Sequence, residues 1–242
     1  MKEKVKAGIT WNEQSLRWFL AAGEYTDYNQ RMAEILLSHM PERGTVCDIG
    51  CGAGLVDLEL AKAAGQMTCV DISPVAVEFV KTEAKQRGIS NLTAICMDGR
   101  ALDGIWDTVI TLFHGGGKAY LDYQKFARHT LLMVTHGMLS ERFGPENRRP
   151  KHCHGTELTK QELDVLGVDY ELVELELEHG QPFVDRMDAK QFVQTYSMSM
   201  EDDELMSYLE EQLVVTGSEE YPYYLPKKKK IGLFIIRKDG VT

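Results

Sequence analysis

The chain has no stretch of about 18 consecutive apolar residues, the length that a membrane-spanning helix requires. Its first residues, M-K-E-K-V-K-A-G, lack the apolar centre of a secretory signal. Both absences point to a cytoplasmic protein with no membrane partner. Positive charge is also short: 27 Lys and Arg stand against 37 Asp and Glu, a net charge of −10. Neutralising a phosphate backbone needs a basic face, so no nucleic-acid partner is expected. Cysteine is sparse and odd in number, five in 242 residues. Cys47, Cys69 and Cys96 fall in apolar runs and Cys51 in a glycine turn. They read as small buried hydrophobes in a reducing compartment rather than as a disulfide framework. Cys153 sits between His152 and His154, but no second ligand pair is spaced to join it, so no metal site is expected.

What is present is organised around residues 45–54, T-V-C-D-I-G-C-G-A-G. A short apolar run leads into Gly50, Gly52 and Gly54, and a helical pattern through Leu55, Leu58 and Leu60 follows. A strand that turns through glycines into a helix exposes backbone N–H groups and lets a ligand approach the backbone closely. Glycines alone also fit a ligand-free turn. Two acids narrow the reading. Asp48 lies two residues before the first glycine, and Asp71 closes a second apolar run, 67–70, where a doubly wound fold would meet a ribose.

D-I-G-C-G-A-G followed by C-V-D-I-S-P resembles the class I S-adenosylmethionine-dependent methyltransferases, across roughly residues 32–139. The dinucleotide pattern Gly-x-Gly-x-x-Gly fits less well, because the third glycine comes one residue early. The resemblance implies an α/β fold, a doubly wound and mostly parallel seven-stranded sheet with N-terminal helices. It also implies S-adenosylmethionine as cofactor and S-adenosylhomocysteine as product. Mapped onto this chain, Gly50, Cys51, Gly52 and Gly54 pass beneath the methionine and ribose portion, with Asp48 anchoring the turn or the ammonium. Asp71 accepts from the ribose diol with Ile72 beside it, and Asp98 receives the adenine amino group between Met97 and Gly99. An ordinary turn aspartate is the alternative for Asp98.

Along the chain, helices are expected over 12–22 and 26–39, parted at Gly23 and closed by Pro41. Tyr25 and Tyr28 are candidates to line the catalytic site, with ordinary aromatic packing as the alternative. Strands are expected over 66–71, 92–97, 106–113 and 130–135. Ser73-Pro74 starts a helix that Gly88 stops, and a short helix covers 120–128. This alternation predicts a parallel sheet with right-handed crossovers. Residues 136–157 form a long polar loop, functional by length. Thr159 and Glu162 read as a capping box for a helix over 160–166, and 169–178 alternates as a half-exposed strand. About 50 residues then precede a last strand over 231–237. We read one domain: an N-terminal cover (1–40), a core (41–180 and 226–242) and a helical cap insertion (181–225). The insertion's helices are placed after Asp188 and after Ser199. It serves either as a substrate-side lid or only for packing and dimerisation, so a homodimer is left open. Lys227–Lys230 reads as a solvated edge, with docking of an acidic partner as the alternative.

Methyl transfer from a sulfonium needs alignment, and a base only when the acceptor must lose a proton. His114, ending the fourth strand, is the first candidate base; a local hydrogen bond is its alternative role. His152 and His154 are weaker candidates. The strand ends T-L-F-H-G-G rather than in an Asn-Pro-Pro-Tyr-like motif, which removes support for amide or base-nitrogen methylation. The expected function is methyl transfer to a small-molecule acceptor. Three alternatives stand beside it: a tRNA or protein methyltransferase using Arg142, Arg148, Arg149, Lys151 and the lysine run 227–230, aminopropyl transfer, and a non-catalytic cofactor-binding subunit.

Overall fold

Alternating apolar side chains make strands two-faced, and here both faces of one sheet are covered. The computed structural model describes residues 12–137, 143–144, 155–197 and 201–238. Two helices lead, α1 (Glu13–Thr26) and α2 (Tyr28–Leu37). Then follow β1 (Thr45–Ile49), α3 (Leu55–Leu60), β2 (Gln66–Asp71), α4 (Pro74–Gln86), β3 (Leu92–Cys96), β4 (Trp106–Leu112), α5 (Ala119–Tyr123), β5 (Ala127–His136), α6 (Thr156–Val165) and β6 (Glu171–Glu178). An insertion carries β7 (Gln181–Phe183), α7 (Arg186–Tyr196), α8 (Asp202–Gln212), β8 (Val214–Val215) and β9 (Tyr223–Leu225), and β10 (Lys228–Arg237) closes the sheet.

The seven-stranded sheet runs β3-β2-β1-β4-β5-β10-β6, with β10 antiparallel to both neighbours and β1 to β5 parallel. The period of two sorts its residues. Val46, Met67, Ile110, Leu132 and Leu233 pack under Met32 and Leu36 of α2, Leu60 of α3 and Val77 and Val80 of α4. Cys47, Ile49, Val70, Val109, Leu131 and Phe234 pack on the other face with Tyr123 of α5 and Leu163 of α6. Strand order reverses between β1 and β4, and the crevice beyond their C-terminal ends is where such sheets collect ligands. No helix among the described residues is long and apolar enough to cross a membrane.

Several local expectations are corrected. The break between the first helices is at Asp27, which adopts a left-handed conformation (φ 52°), and not at Gly23. Gly23 lies within α1, where an added Cβ would meet Asn29 Nδ2 at 2.2 Å, so close helix packing explains that glycine. Residues 124–126 form a 3₁₀ turn and β5 begins at Ala127, shortening the helix expected to reach 128. Thr159 does not cap α6; Gly155 does, and Thr159 is buried in the helix while Glu162 accepts from the Lys118 N–H at 3.2 Å. Asp185 caps α7, and Asp188 lies inside it. Lys228, Lys229 and Lys230 are not a free edge: they pair in register with Glu178, Leu177 and Glu176, and Lys228 reaches Glu176 at 3.2 Å.

The insertion shares its core with α1. Trp18 packs edge-on against Phe192, with centroids 5.2 Å apart, among Phe183, Val193, Leu205, Leu209 and Leu225. The small sheet β7-β9-β8 had no counterpart in the sequence reading, since its strands are two or three residues long. Asp188 clasps the two parts: it accepts from the Trp18 indole Nε1–H at 2.8 Å and from both terminal nitrogens of Arg17.

Candidate active site

The glycine turn after β1 needs backbone conformations that side chains resist. Gly50, Gly52 and Gly54 have φ of 83°, 55° and 63°, in the left-handed region that favours glycine. The turn is held from β2: the Gly50 and Cys51 N–H groups donate to the Val70 carbonyl at 2.8 and 3.1 Å. Asp71 ties it further. Its Oδ2 accepts from the Gly52 N–H at 2.9 Å and its Oδ1 from the Ser73 N–H at 2.8 Å. One carboxylate thus organises both the glycine turn and the start of α4.

The ends of β2 and β3 are adjacent, with Asp71 in register with Cys96 and the Met97 N–H donating to the Asp71 carbonyl at 3.0 Å. This places Asp71, Ile72, Met97, Asp98 and Gly99 on one rim. Ile72 is 75% exposed, unusual for an isoleucine at the end of a buried strand. Asp98 is exposed, and its carboxyl is held below the usual carboxylate range first by the Arg100 backbone N–H, 2.9 Å away, and then by the Arg100 guanidinium. Gly99 is buried, and a Cβ there would meet Ile49 Cγ2 at 2.2 Å.

Asp48 is fully buried and lies beneath the turn, within reach of Asp57 of α3 rather than in the crevice. Neither carboxyl has a donor at hydrogen-bond geometry among the described residues. Burial raises the pKa of both, and the nearby Asp57 charge raises that of Asp48 further.

His114 follows Phe113, whose φ of 55° bends the chain out of β4. The imidazole lies over Gly50 so closely that a Cβ on that glycine would stand 2.5 Å from His114 Cγ and 2.8 Å from Nδ1. Its Nε2 hydrogen-bonds the Tyr123 hydroxyl at 3.1 Å, and the two rings stack with centroids 5.9 Å apart. Desolvation by the surrounding side chains lowers its pKa below the ordinary histidine value, although the residue is exposed to solvent.

The two tyrosines part company. Tyr25 packs on Tyr224 of the insertion at 4.7 Å, with Tyr221 at 6.2 Å. Tyr28 is buried edge-on against His179 at 4.4 Å. A cation links Tyr28 to the end of β4: Lys229 Nζ lies 3.5 Å from the Phe113 ring centroid and 5.3 Å from that of Tyr28. His136, at the end of β5, stacks on Phe113 at 4.5 Å. Tyr123, Phe113, Lys229, His136 and Asp57 were not legible as site neighbours, because each reaches the site from a different element. His152, His154, Cys153, Arg142, Arg148, Arg149 and Lys151 lie outside the described residues.

Residues 46–128 match a family model described as a methyltransferase domain. The chain is 34% identical over 100 residues to the ribosomal RNA small subunit methyltransferase C of Shewanella sediminis (strain HAW-EB3), covering 38% of this chain and 28% of that protein. It is 35% identical over 77 residues to the aklanonic acid methyltransferase DauC of Streptomyces sp. (strain C5), covering 31% and 34%. The match thus spans about a third of the length of these curated relatives or less. In fold it resembles the crystal structure of a SAM-dependent methyltransferase from Aquifex aeolicus: TM-score 0.54, 16% identity, 69% of this chain and 94% of that one.

Proposed function

We propose that residues 46–128, which match the methyltransferase-domain model, form a class I, S-adenosylmethionine-dependent methyltransferase domain, and that the protein transfers a methyl group to a small-molecule acceptor. The observation that carries the proposal is the meeting of His114 with Gly50 at the crevice between β1 and β4, a candidate base set against the cofactor turn. The donor set suits the cofactor. A carboxylate offers about four lone-pair sites; two on Asp71 are taken by Gly52 and Ser73, which leaves two for a ribose diol. Exposed Ile72 and half-buried Met97 offer apolar contact to a purine, with the Asp98 acceptor beside them and Gly99 keeping the rim low. Gly50, Cys51, Gly52 and Gly54 would carry the methionyl end, and Asp48 acts through the turn above it.

When bound, S-adenosylmethionine supplies an electrophilic methyl on a sulfonium. The chain's own work is to align the acceptor and exclude water. Desolvation of His114 lowers its pKa and so favours the neutral imidazole. In the tautomer whose Nε2–H donates to Tyr123, Nδ1 keeps its lone pair on the side of Gly50 and can take a proton from the acceptor. Tyr25, Tyr221 and Tyr224 cluster where α1 meets the insertion, an aromatic wall suited to a small organic acceptor. Calorimetric titration with S-adenosylmethionine and S-adenosylhomocysteine, with NAD as control, tests the cofactor. Labelled-methyl transfer into a fractionated cell extract tests the acceptor. NAD binding without S-adenosylmethionine binding would overturn the reading. Label entering RNA would favour the substrate class that the Shewanella relative's name carries, and label entering protein would equally overturn the small-molecule reading.

A further inference from the structure

Beneath the glycine turn three potential ligands converge from three elements. Cys51 Sγ in the turn, a carboxylate oxygen of Asp57 in α3 and Cys69 Sγ in β2 all lie within 4.8 Å of one another. Asp57 is fully buried, neither of its oxygens has a hydrogen-bond partner among the described residues, and its Oδ2 would stand 3.3 Å from a Cβ on Gly54. Asp48, equally buried and likewise without a donor, is in register with Cys69 on the paired strand. Three potential ligands therefore share a small volume, with a second buried carboxyl, Asp48, on the strand beside them. A buried acid without a donor is costly, and a cation offsets that cost directly. Cys51 is partly exposed, which leaves an entry from the crevice side.

We propose that Cys51, Asp57 and Cys69 form a binding site for one thiophilic divalent cation of the zinc type. Two sulfurs and one carboxylate oxygen are a donor set such ions accept, with a fourth position for water. At zinc bond lengths of about 2.3 Å to sulfur and about 2.1 Å to oxygen, tetrahedral ligand atoms stand about 3.5–3.8 Å apart. The observed cluster, within 4.8 Å, needs a contraction of at most about 1.3 Å. Binding releases the two thiol protons to solvent. The ion would pin the turn to β2 and α3, so that metal binding and turn rigidity are linked.

The test must separate this site from Cys153, which has a histidine on each side. The full chain carrying Cys153→Ser, His152→Asn and His154→Asn is kept reduced with a non-thiol reductant. It is titrated with Cd2+ and Zn2+ by calorimetry and by the ultraviolet thiolate-to-cadmium band. The expected result is one equivalent of Cd2+ with that band, and slower amide exchange at residues 50–54. Cys69→Ser and Cys51→Ala, each checked for folding by circular dichroism, should abolish the band, with Cys51→Ala deciding if Cys69→Ser does not fold. Asp57→Asn should weaken binding at least as much as losing an outer-shell partner does, about 10- to 100-fold. Cys96→Ser, outside the cluster, should change nothing. Absence of the band in the triple-substituted chain, or equal affinity after Cys51→Ala, overturns the proposal.

Discussion

Asp71 does two jobs, and the choice of substitution decides which one an experiment reads. Replacement by alanine removes the acceptor for the Gly52 and Ser73 N–H groups as well as the proposed ribose contacts. Lost affinity could then reflect a collapsed turn. Asp71→Asn keeps one acceptor oxygen and the shape. It loses one charge-assisted hydrogen bond, about 1.5–3 kcal/mol, and weakens the other by about 1 kcal/mol. The sum, about 2.5–4 kcal/mol, corresponds to roughly 60- to 700-fold weaker binding at about 1.4 kcal/mol per tenfold. The assay is calorimetric titration of S-adenosylhomocysteine into wild type and Asp71→Asn, with thermal melts in parallel. The amide NH2 must face one of the two backbone donors, so a stability loss of about 1–2 kcal/mol should accompany the affinity loss. Affinity within about threefold of wild type would refute the ribose assignment. Equal affinity losses for Asn and Ala, with the melt lowered further in Ala than in Asn, would support it.

Three further outcomes are expected. Asp188→Ala leaves the buried Trp18 N–H without its acceptor and Arg17 without its partner; because Arg17 is 43% exposed, its share is small, and the expected cost is about 2–4 kcal/mol by denaturant unfolding, a loss under about 1 kcal/mol sinking the clasp. His179 has its pKa pushed down to about 3, by burial first and then by Lys229; its folded pKa is depressed, so stability is full above pH 6.5 and falls below it by up to about 1.4 kcal/mol per pH unit until about pH 3. His179→Gln should flatten that acid slope in melts taken from pH 7 to pH 4, and an unchanged slope contradicts the assignment. Tyr123→Phe removes the partner of His114 Nε2 and should cut kcat while sparing S-adenosylhomocysteine affinity, whereas a change in affinity alone would make Tyr123 a packing residue.

The sheet was legible because its signals are local. Alternation in β6, buried runs in β1, β2 and β4, and glycines at positive φ after β1 need no knowledge of the partner strand. The helix start at Ser73-Pro74 and the stop at Gly88 were legible for the same reason, since a cap is satisfied within its own turn: the Ser73 hydroxyl accepts from the Ala76 N–H at 3.3 Å. The misreadings share the opposite cause. Gly23 resembles a breaker until Asn29 and Leu55 are packed against it, and Asp27 carries the left-handed residue that composition assigns to glycine. Thr159 and Glu162 have capping-box spacing, yet Glu162 is used by Lys118, 44 positions away.

The lysine run is the most instructive of these, because the property that misled is the one that now has a use. Four consecutive lysines read as a solvated edge when each is counted alone. In the sheet Lys228, Lys229 and Lys230 occupy the start of β10, between β5 and β6, and the strand's alternation sorts them. Lys228 turns to Glu176, while Lys229 turns to the opposite face and lies over Phe113 and Tyr28. A solvated ammonium gains little from such rings, and a partly desolvated one gains about 2 kcal/mol or more. The same ammonium helps to hold His179 neutral. A residue that looked like surface charge thus sets the electrostatics beside the end of β4, one position from His114. It does so through a register that only the intervening insertion and its return to the sheet could define.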